Sequence, residues 1–265
     1  MGETKVRATL LGTSGAWPIP RPGCACPQCA EARREPRLRR TRTGLRLEAG
    51  GEVLLVDAGP DLAAQLERES VGPRVDRLVV THTHADHVLG LDDLVHLRAP
   101  REEPLVVHAA PWHQERIARV FPHLVRWGAE KVRFARWGDG ERVEAEGLVL
   151  EGFETGHSAE FPTTGVLLRI ATPAGERRVA FATDLGEPPE SSRERLRGID
   201  LLVGDGSFLG GPGHGHGGTD ADAALARDLG IRGLLFTHVG HVRLADADLR
   251  ARLAPAGLAL DGDLL

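Results

Sequence analysis

Residues 81–87 read Thr-His-Thr-His-Ala-Asp-His, three imidazoles and a carboxylate in one short stretch. Neutral imidazole nitrogens and carboxylate oxygens are donors that zinc, manganese and iron all accept. The side chains of His82, His84, Asp86 and His87 can converge only where the chain turns sharply, as it does between a strand end and a helix start. Arg77-Leu78-Val79-Val80, just before them, reads as a buried strand. A solvated polar loop gives no reason to concentrate four ligand-type residues so closely. The stretch predicts a metal centre.

A second cluster has a different chemistry. The three cysteines, Cys24, Cys26 and Cys29, all lie within Gly-Cys-Ala-Cys-Pro-Gln-Cys. An odd number so tightly spaced, in a chain without a secretory signal pattern, argues against a disulfide framework. Thiolates at these intervals suit tetrahedral zinc, which needs one more ligand to close its shell. The competing reading, a redox Cys-x-x-Cys pair, leaves the third thiol without a role.

Three further ligand candidates share one local grammar: buried strand, small or hydroxyl residue, ligand type, then a small residue. His157 sits in Thr-Gly-His-Ser, Asp184 in Ala-Thr-Asp-Leu-Gly, and His238 in Phe-Thr-His-Val-Gly-His. Repetition at successive strand ends predicts that all three meet the 82–87 stretch at one edge. His96, His108, His113 and His123 are expected to be ordinary packing or surface residues without ligand-type partners.

The elements that must position these groups alternate along the chain. Strands are predicted over Lys5–Leu11, Leu45–Leu47, Val53–Val56, 77–80, Leu105–His108, Val132–Ala135, Leu148–Phe153, Val166–Ile170, Val179–Ala182, Leu201–Val203 and Leu234–Phe236, with an edge strand over Leu258–Leu260. Helices are predicted over Leu62–Glu69, Val88–Arg98, Pro111–Phe121, Ala221–Leu229 and Asp246–Leu253, with Thr219 and Asp222 as a capping box for the fourth. Strand-rich halves each closed by helices imply an α+β fold with two sheets face to face and helices outside, in one domain spanning 1–265.

At 265 residues and 41% hydrophobic, the chain can bury a sizeable core, and no apolar run approaches membrane-spanning length. With no targeting pattern at Met1–Lys5, a cytoplasmic location is expected. A net charge of −5 argues against a general nucleic-acid binder. Locally, Arg33, Arg34, Arg37, Arg39, Arg40, Arg42 and Arg46 crowd one segment, as a solvated face or as guanidiniums available to substrate phosphate.

The ligand set His82-x-His84-x-Asp86-His87 with His157, Asp184 and His238 resembles that of the metallo-β-lactamase superfamily. The resemblance implies a four-layer αββα sandwich with two divalent ions, zinc or manganese, at one sheet edge. By the family pattern, His82, His84 and His157 hold one ion, Asp86, His87 and His238 hold the other, and Asp184 bridges them. The β-lactamases carry Cys near the position of Asp184, so the aspartate points to the phosphodiesterase and thioesterase branches.

A narrower resemblance covers nearly the whole chain. Leu11-Gly12-Thr13-Ser14-Gly15, the Cys24-x-Cys26-x-x-Cys29 cluster, Val56-Asp57-Ala58-Gly59 and Thr237-His238-x-x-His241 are similar to the PhnP phosphodiesterases, which open a cyclic phosphate on phosphoribose. It implies that Cys24, Cys26, Cys29 and His241 hold a structural zinc within an insertion around 21–46. It also implies a catalytic part for His216 as general acid, with His214 as its alternative, and for Asp86 beside its ligand role. The expected partner is a small phosphorylated substrate, with no membrane, nucleic acid unexpected, and a homodimer as the oligomer to test for. The alternatives are a thioester or lactone hydrolase on the same metal pair, a tRNA-maturation nuclease, and a non-catalytic or carrier relative of the pyrroloquinoline quinone biosynthesis type.

Overall fold

Alternation along the strands dictates the layering. In β3 (Glu52–Val56), Val53 and Leu55 enter one buried cluster while Leu54 and Val56 enter another. Successive side chains leave a strand on opposite faces, so a strand apolar on both must be covered on both. The computed structural model, which describes residues 6–127 and 130–265, solves this with two sheets.

The first sheet has six strands in the order β1 (Arg7–Gly12), β2 (Gly44–Ala49), β3, β4 (Arg77–Val79), β5 (Leu105–Ala109) and β6 (Val132–Arg136). The second has seven, in the order β13 (Gly257–Leu258), β12 (Leu234–Thr237), β11 (Leu201–Asp205), β10 (Gly175–Phe181), β9 (Thr164–Thr172), β8 (Leu148–Glu154) and β7 (Arg142–Ala145). In the first, β1 to β3 pair antiparallel and β3 to β6 parallel. In the second, β7 to β10 pair antiparallel and β10 to β13 parallel.

Leu10, Leu47, Leu54 and Val56 of the first sheet meet Leu150, Val166, Leu168 and Phe181 of the second in the central core. The outer face of the first sheet is covered by α2 (Leu62–Arg68), α4 (Leu91–Leu97) and α5 (Pro111–Val120), through Leu62, Leu66, Leu94 and Ile117. The outer face of the second is covered by α7 (Glu190–Leu196) and α8 (Thr219–Asp228), through Leu196 and Leu225, and by α9 (Asp246–Leu253), through Leu249 and Leu253. The expected αββα order is met. Among the described residues, no helix is long and apolar enough to cross a membrane.

Several local expectations fail for identifiable reasons. Of the helix expected over 88–98, residues 91–97 form α4, while Val88 ends a preceding turn, α3 (Ala85–Val88), with Gly90 between the two. Gly90 lies so close to Gly59 that a Cβ there would sit 2.1 Å from its carbonyl oxygen. Thr219 and Asp222 form no capping box: α8 starts at Thr219 after Gly218 and carries no side-chain cap. Thr219 Oγ1 instead accepts the Gly210 N–H at 2.8 Å, and Asp222 Oδ2 accepts the Asp205 N–H at 2.8 Å. The residues of β7, α1 (Pro27–Arg34), α6 (Pro122–Trp127) and α7 had no predicted element. Lys5, the expected start of the first strand, lies outside the described residues.

Trp137 joins the two sheets. It is buried in the central core, and its Nε1–H donates to Thr164 Oγ1 at 2.9 Å. Trp137→Ala should cost about 3–5 kcal/mol of stability by leaving a cavity. Urea unfolding measures this, and a loss below about 1 kcal/mol would mean that the two sheets do not depend on this contact.

Candidate metal centre

The site grows from the carboxyl ends of parallel strands. Just after β3, Asp57 adopts a left-handed backbone (φ 64°) that turns its carboxylate toward the end of β4. Asp57 Oδ1 accepts the Thr81 N–H at 2.8 Å, and Oδ2 accepts the Thr81 hydroxyl at 2.8 Å and His87 Nδ1–H at 2.7 Å. Thr81 Oγ1 in turn accepts His82 Nδ1–H at 3.1 Å. With Nδ1 engaged on each ring, Nε2 of His82 and of His87 is the atom left for the site. Gly59 permits the close packing behind this turn, since a Cβ there would stand 2.2 Å from the Asp86 carbonyl oxygen.

Asp184 follows β10, also in the left-handed region (φ 56°), and its two oxygens face different neighbours. Oδ1 lies 3.7 Å from His82 Nε2 and 3.7 Å from His157 Nε2. Oδ2 lies 3.1 Å from His87 Nε2 and 3.5 Å from His238 Nε2. Asp86 Oδ2 is 3.4 Å from both His87 Nε2 and His238 Nε2. His84 Nδ1 approaches His82 Nε2 at 2.9 Å. Donor atoms of His82, His84, His157 and Asp184 all fall within 4.8 Å of one another, as do those of Asp86, His87 and His238. All seven expected ligands therefore meet at one edge of the sandwich.

The donors fit divalent cations. His87 Nε2 and Asp184 Oδ2 are buried and face each other at 3.1 Å without the alignment of a hydrogen bond. Leaving such groups unsatisfied costs about 1–3 kcal/mol each, and more for a charge. Burial opposes ionisation of Asp184, yet His238, His87 and His82 hold it well below the usual carboxylate range. Burial likewise opposes protonation of His238, but Asp184 and the hydrogen bonds to Asp205 and Asp86 push it up to about 10. His87 rises for the same reason, against burial, through Asp184, Asp86 and Asp57. Protons on these rings do the electrostatic work that cations would do.

The other end of the site rests on Asp205, at the end of β11. Its Oδ1 receives the Ser207 N–H at 2.8 Å and lies 3.3 Å from His238 Nδ1, and its Oδ2 bonds His216 Nδ1. The opposite ring nitrogen, His216 Nε2, is 3.9 Å from Asp184 Oδ1. His214 is exposed on the same loop, and its ring contacts Phe208. Of the two candidates for general acid, His216 is the one gathered into the cluster.

The sulfur cluster closes as a compact group. His241 Nε2 lies 3.4 Å from Cys24 Sγ, 3.3 Å from Cys26 Sγ and 3.4 Å from Cys29 Sγ. A tetrahedral zinc with Zn–S of about 2.3 Å and Zn–N of about 2.0–2.1 Å separates nitrogen from sulfur by about 3.5 Å. The spacing suits that ion.

Residues 53–239 match the family model described as Beta-lactamase superfamily domain. The chain belongs to this superfamily. It is a hydrolase with the metallo-β-lactamase fold, of the RNase Z- and PhnP-like phosphodiesterase family. A solved structure described as a new diphosphatase from the PhnP family superposes with a TM-score of 0.82 at 28% identity, covering 98% of this chain and 97% of that one. Coenzyme PQQ synthesis protein B of Methylobacterium nodulans is 30% identical over 77% of this chain and 74% of its own length. Ribonuclease Z of Bradyrhizobium diazoefficiens is 32% identical over 46% of this chain, an alignment spanning 42% of that protein.

Placing this superfamily hydrolase beside relatives named Ribonuclease Z removes support for the expectation that nucleic acid is no partner. In the arginine run, Arg34, Arg37 and Arg39 are exposed, as a solvated face would be, while the others have partners within the fold. Arg40 is buried and donates to Thr13 Oγ1 at 2.8 Å and to the Ala259 carbonyl. Arg42 pairs with Asp61 at 3.1 Å, Arg46 lies beside Glu48 and Glu69, and Arg33 holds the carbonyls of Cys24 and Arg21. These guanidiniums brace the fold. His96 and His123 do have a ligand-type neighbour, Asp92 Oδ1, at 3.8 and 2.6 Å. His113 supports the motif by bonding Thr83 Oγ1 at 3.0 Å and the Pro162 carbonyl at 2.6 Å.

Sequence reasoning gave Asp205 and Ser207 no role, although Gly204-Asp205-Gly206 repeats the grammar of the other strand ends. For His238, the ion-pair contribution is present at and below neutral pH in the metal-free protein, and is lost as pH rises toward 10. Cations must displace those protons. Zinc titrated into chelator-stripped protein near neutral pH should therefore release protons, seen as heats that depend on the ionisation enthalpy of the buffer. Buffer-independent heats would contradict the charge balance described here.

Proposed function

We propose that this hydrolase is a dinuclear metal-dependent phosphodiesterase that opens a cyclic phosphate or another small phosphodiester. One observation carries the reading: a single buried carboxylate, Asp184, turns one oxygen to His82 and His157 and the other to His87 and His238. In this reading His82, His84 and His157 hold one ion, Asp86, His87 and His238 hold the second, and Asp184 is common to both. Bound divalent ions would supply an acidified water and polarise the phosphoryl oxygens.

The protein's own residues supply orientation and protons. Asp57, Thr81 and Asp205 fix His82, His87, His216 and His238 so that each presents Nε2 to the site. His216, held at Nδ1 by Asp205, turns Nε2 toward the cluster and is the residue to which we assign proton transfer to the departing sugar oxygen. Asp86 shares the His238 side of the site, where it sets the charge that the substrate meets. Cys24, Cys26, Cys29 and His241 form the structural zinc site of the 21–46 insertion, within one metallo-hydrolase domain spanning 1–265.

A second reading, an RNA phosphodiester substrate, draws on the relatives named Ribonuclease Z. Thioester or lactone hydrolysis would use the same ligand set, and a non-catalytic role of the pyrroloquinoline quinone type is disfavoured by its completeness. A screen of bis-p-nitrophenyl phosphate, ribose cyclic phosphates, a pre-tRNA and a thioester separates these. Asp184→Ala should lower phosphodiester turnover by several orders of magnitude while circular dichroism stays native. A wild-type rate in the folded, metal-supplied variant would refute the assignment. Protein purified without added metal should contain about three ions per chain, one of them zinc that resists mild chelation.

A further inference from the structure

Asp222 is a buried carboxyl that no ligand group includes. It lies on the face of α8 that packs Leu225 onto the second sheet, where an apolar residue is the ordinary occupant. The backbone beside it explains the exception. Leu202 and Gly206 donate their N–H groups to the carbonyls of Gly233 and Thr237, on the β12 side of β11. Successive N–H groups of a strand face opposite neighbours, so that of Asp205 faces the β10 side. There β10 has ended at Phe181, and Asp222 Oδ2 accepts the N–H at 2.8 Å in place of a strand carbonyl. Room for the carboxyl depends on Gly204, where a Cβ would stand 2.7 Å from Asp222 Oδ2.

The carboxylate of Asp205 meets both His216 and His238 at Nδ1, and its Oδ2 also accepts the Leu185 N–H at 3.2 Å, next to Asp184. A shift of the Asp205 backbone would therefore carry His216 with it. The loop that bears His216 is tied to the same helix turn a second time, through Thr219 and Gly210. From this geometry we infer that Asp222 is a positioning residue, which acts through the Asp205 backbone to hold His216 where it serves the leaving group. Burial, together with the Asp205 carboxylate, pushes Asp222 well above the usual carboxylate range, so neutral asparagine is its closest match in shape and charge. The inference rests on the phosphodiesterase reading for the step that His216 serves, but one arm of its test needs no turnover.

That arm is proton NMR of the zinc-loaded protein, which reads the Nδ1–H that His216 shares with Asp205 as a downfield signal, identified by its loss in His216→Gln. The signal should persist in Asp222→Asn and vanish or move upfield in Asp222→Ala. Gly204→Ala, which pushes the carboxyl aside without deleting it, should have the same effect and serves where Asp222→Ala does not fold. Turnover compares uridine 2′,3′-cyclic phosphate, whose alkoxide must leave with a proton, with bis-p-nitrophenyl phosphate, whose phenolate need not. Asp222→Ala should lower kcat on the first by about tenfold, part of the roughly 100- to 10,000-fold that general acid catalysis contributes, and leave KM and the second substrate nearly unchanged. Asp222→Asn should restore the rate. Equal losses on both substrates, or a His216 signal indifferent to Asp222→Ala or Gly204→Ala, overturns the inference. Wild-type protein that turns over neither phosphodiester, with the signal responding as expected, counts against the phosphodiesterase reading and leaves the Asp222 assignment standing.

Discussion

A buried carboxylate shared between two sets of imidazoles governs this molecule. Asp184 sits in a left-handed backbone conformation, almost fully out of water, with His82 and His157 on one oxygen and His87 and His238 on the other. Asp57, Asp86 and Asp205 are buried close by, so the edge of the sandwich concentrates negative charge where solvent cannot screen it. Positive charge must be supplied there. Without metal His87 and His238 take it up as protons, and divalent cations are the more natural occupants of these donors.

The topology exists to keep that arrangement rigid. Each sheet ends in a parallel half, and parallel strands β3, β4, β10, β11 and β12 all run out toward the site. A strand with both faces buried cannot slide or twist without exposing one of them, so the turns after these strands are held in register. Strained backbone at Asp57, Asp184 and His238 is tolerable for this reason, since the packing beneath over-determines each position.

What could be read in advance depended on whether the signal was local. His82, His84, Asp86 and His87 declare themselves because four ligand types fall in one turn. His157, Asp184 and His238 are legible only through the repeated pattern of buried strand, small residue and ligand. Asp57 and Asp205 act through other residues, and one aspartate after a strand looks like any turn former. Thr219 and Asp222 mimic a helix cap in sequence, yet their side chains turn to Gly210 and Asp205, whose buried backbone N–H groups need acceptors. The arginine run reads as a solvated face or as guanidiniums free for phosphate because the partners of its bracing members lie far along the chain, as with Arg42 and Asp61 or Arg40 and Ala259.

The whole scheme requires two ions close enough to share one carboxylate. Electron paramagnetic resonance of the protein stripped by chelation and reloaded with manganese addresses this directly. The expected result is a spin-coupled pair whose hyperfine spacing is half that of an isolated ion, and which disappears in Asp184→Ala. A spectrum of isolated manganese at full loading would contradict it.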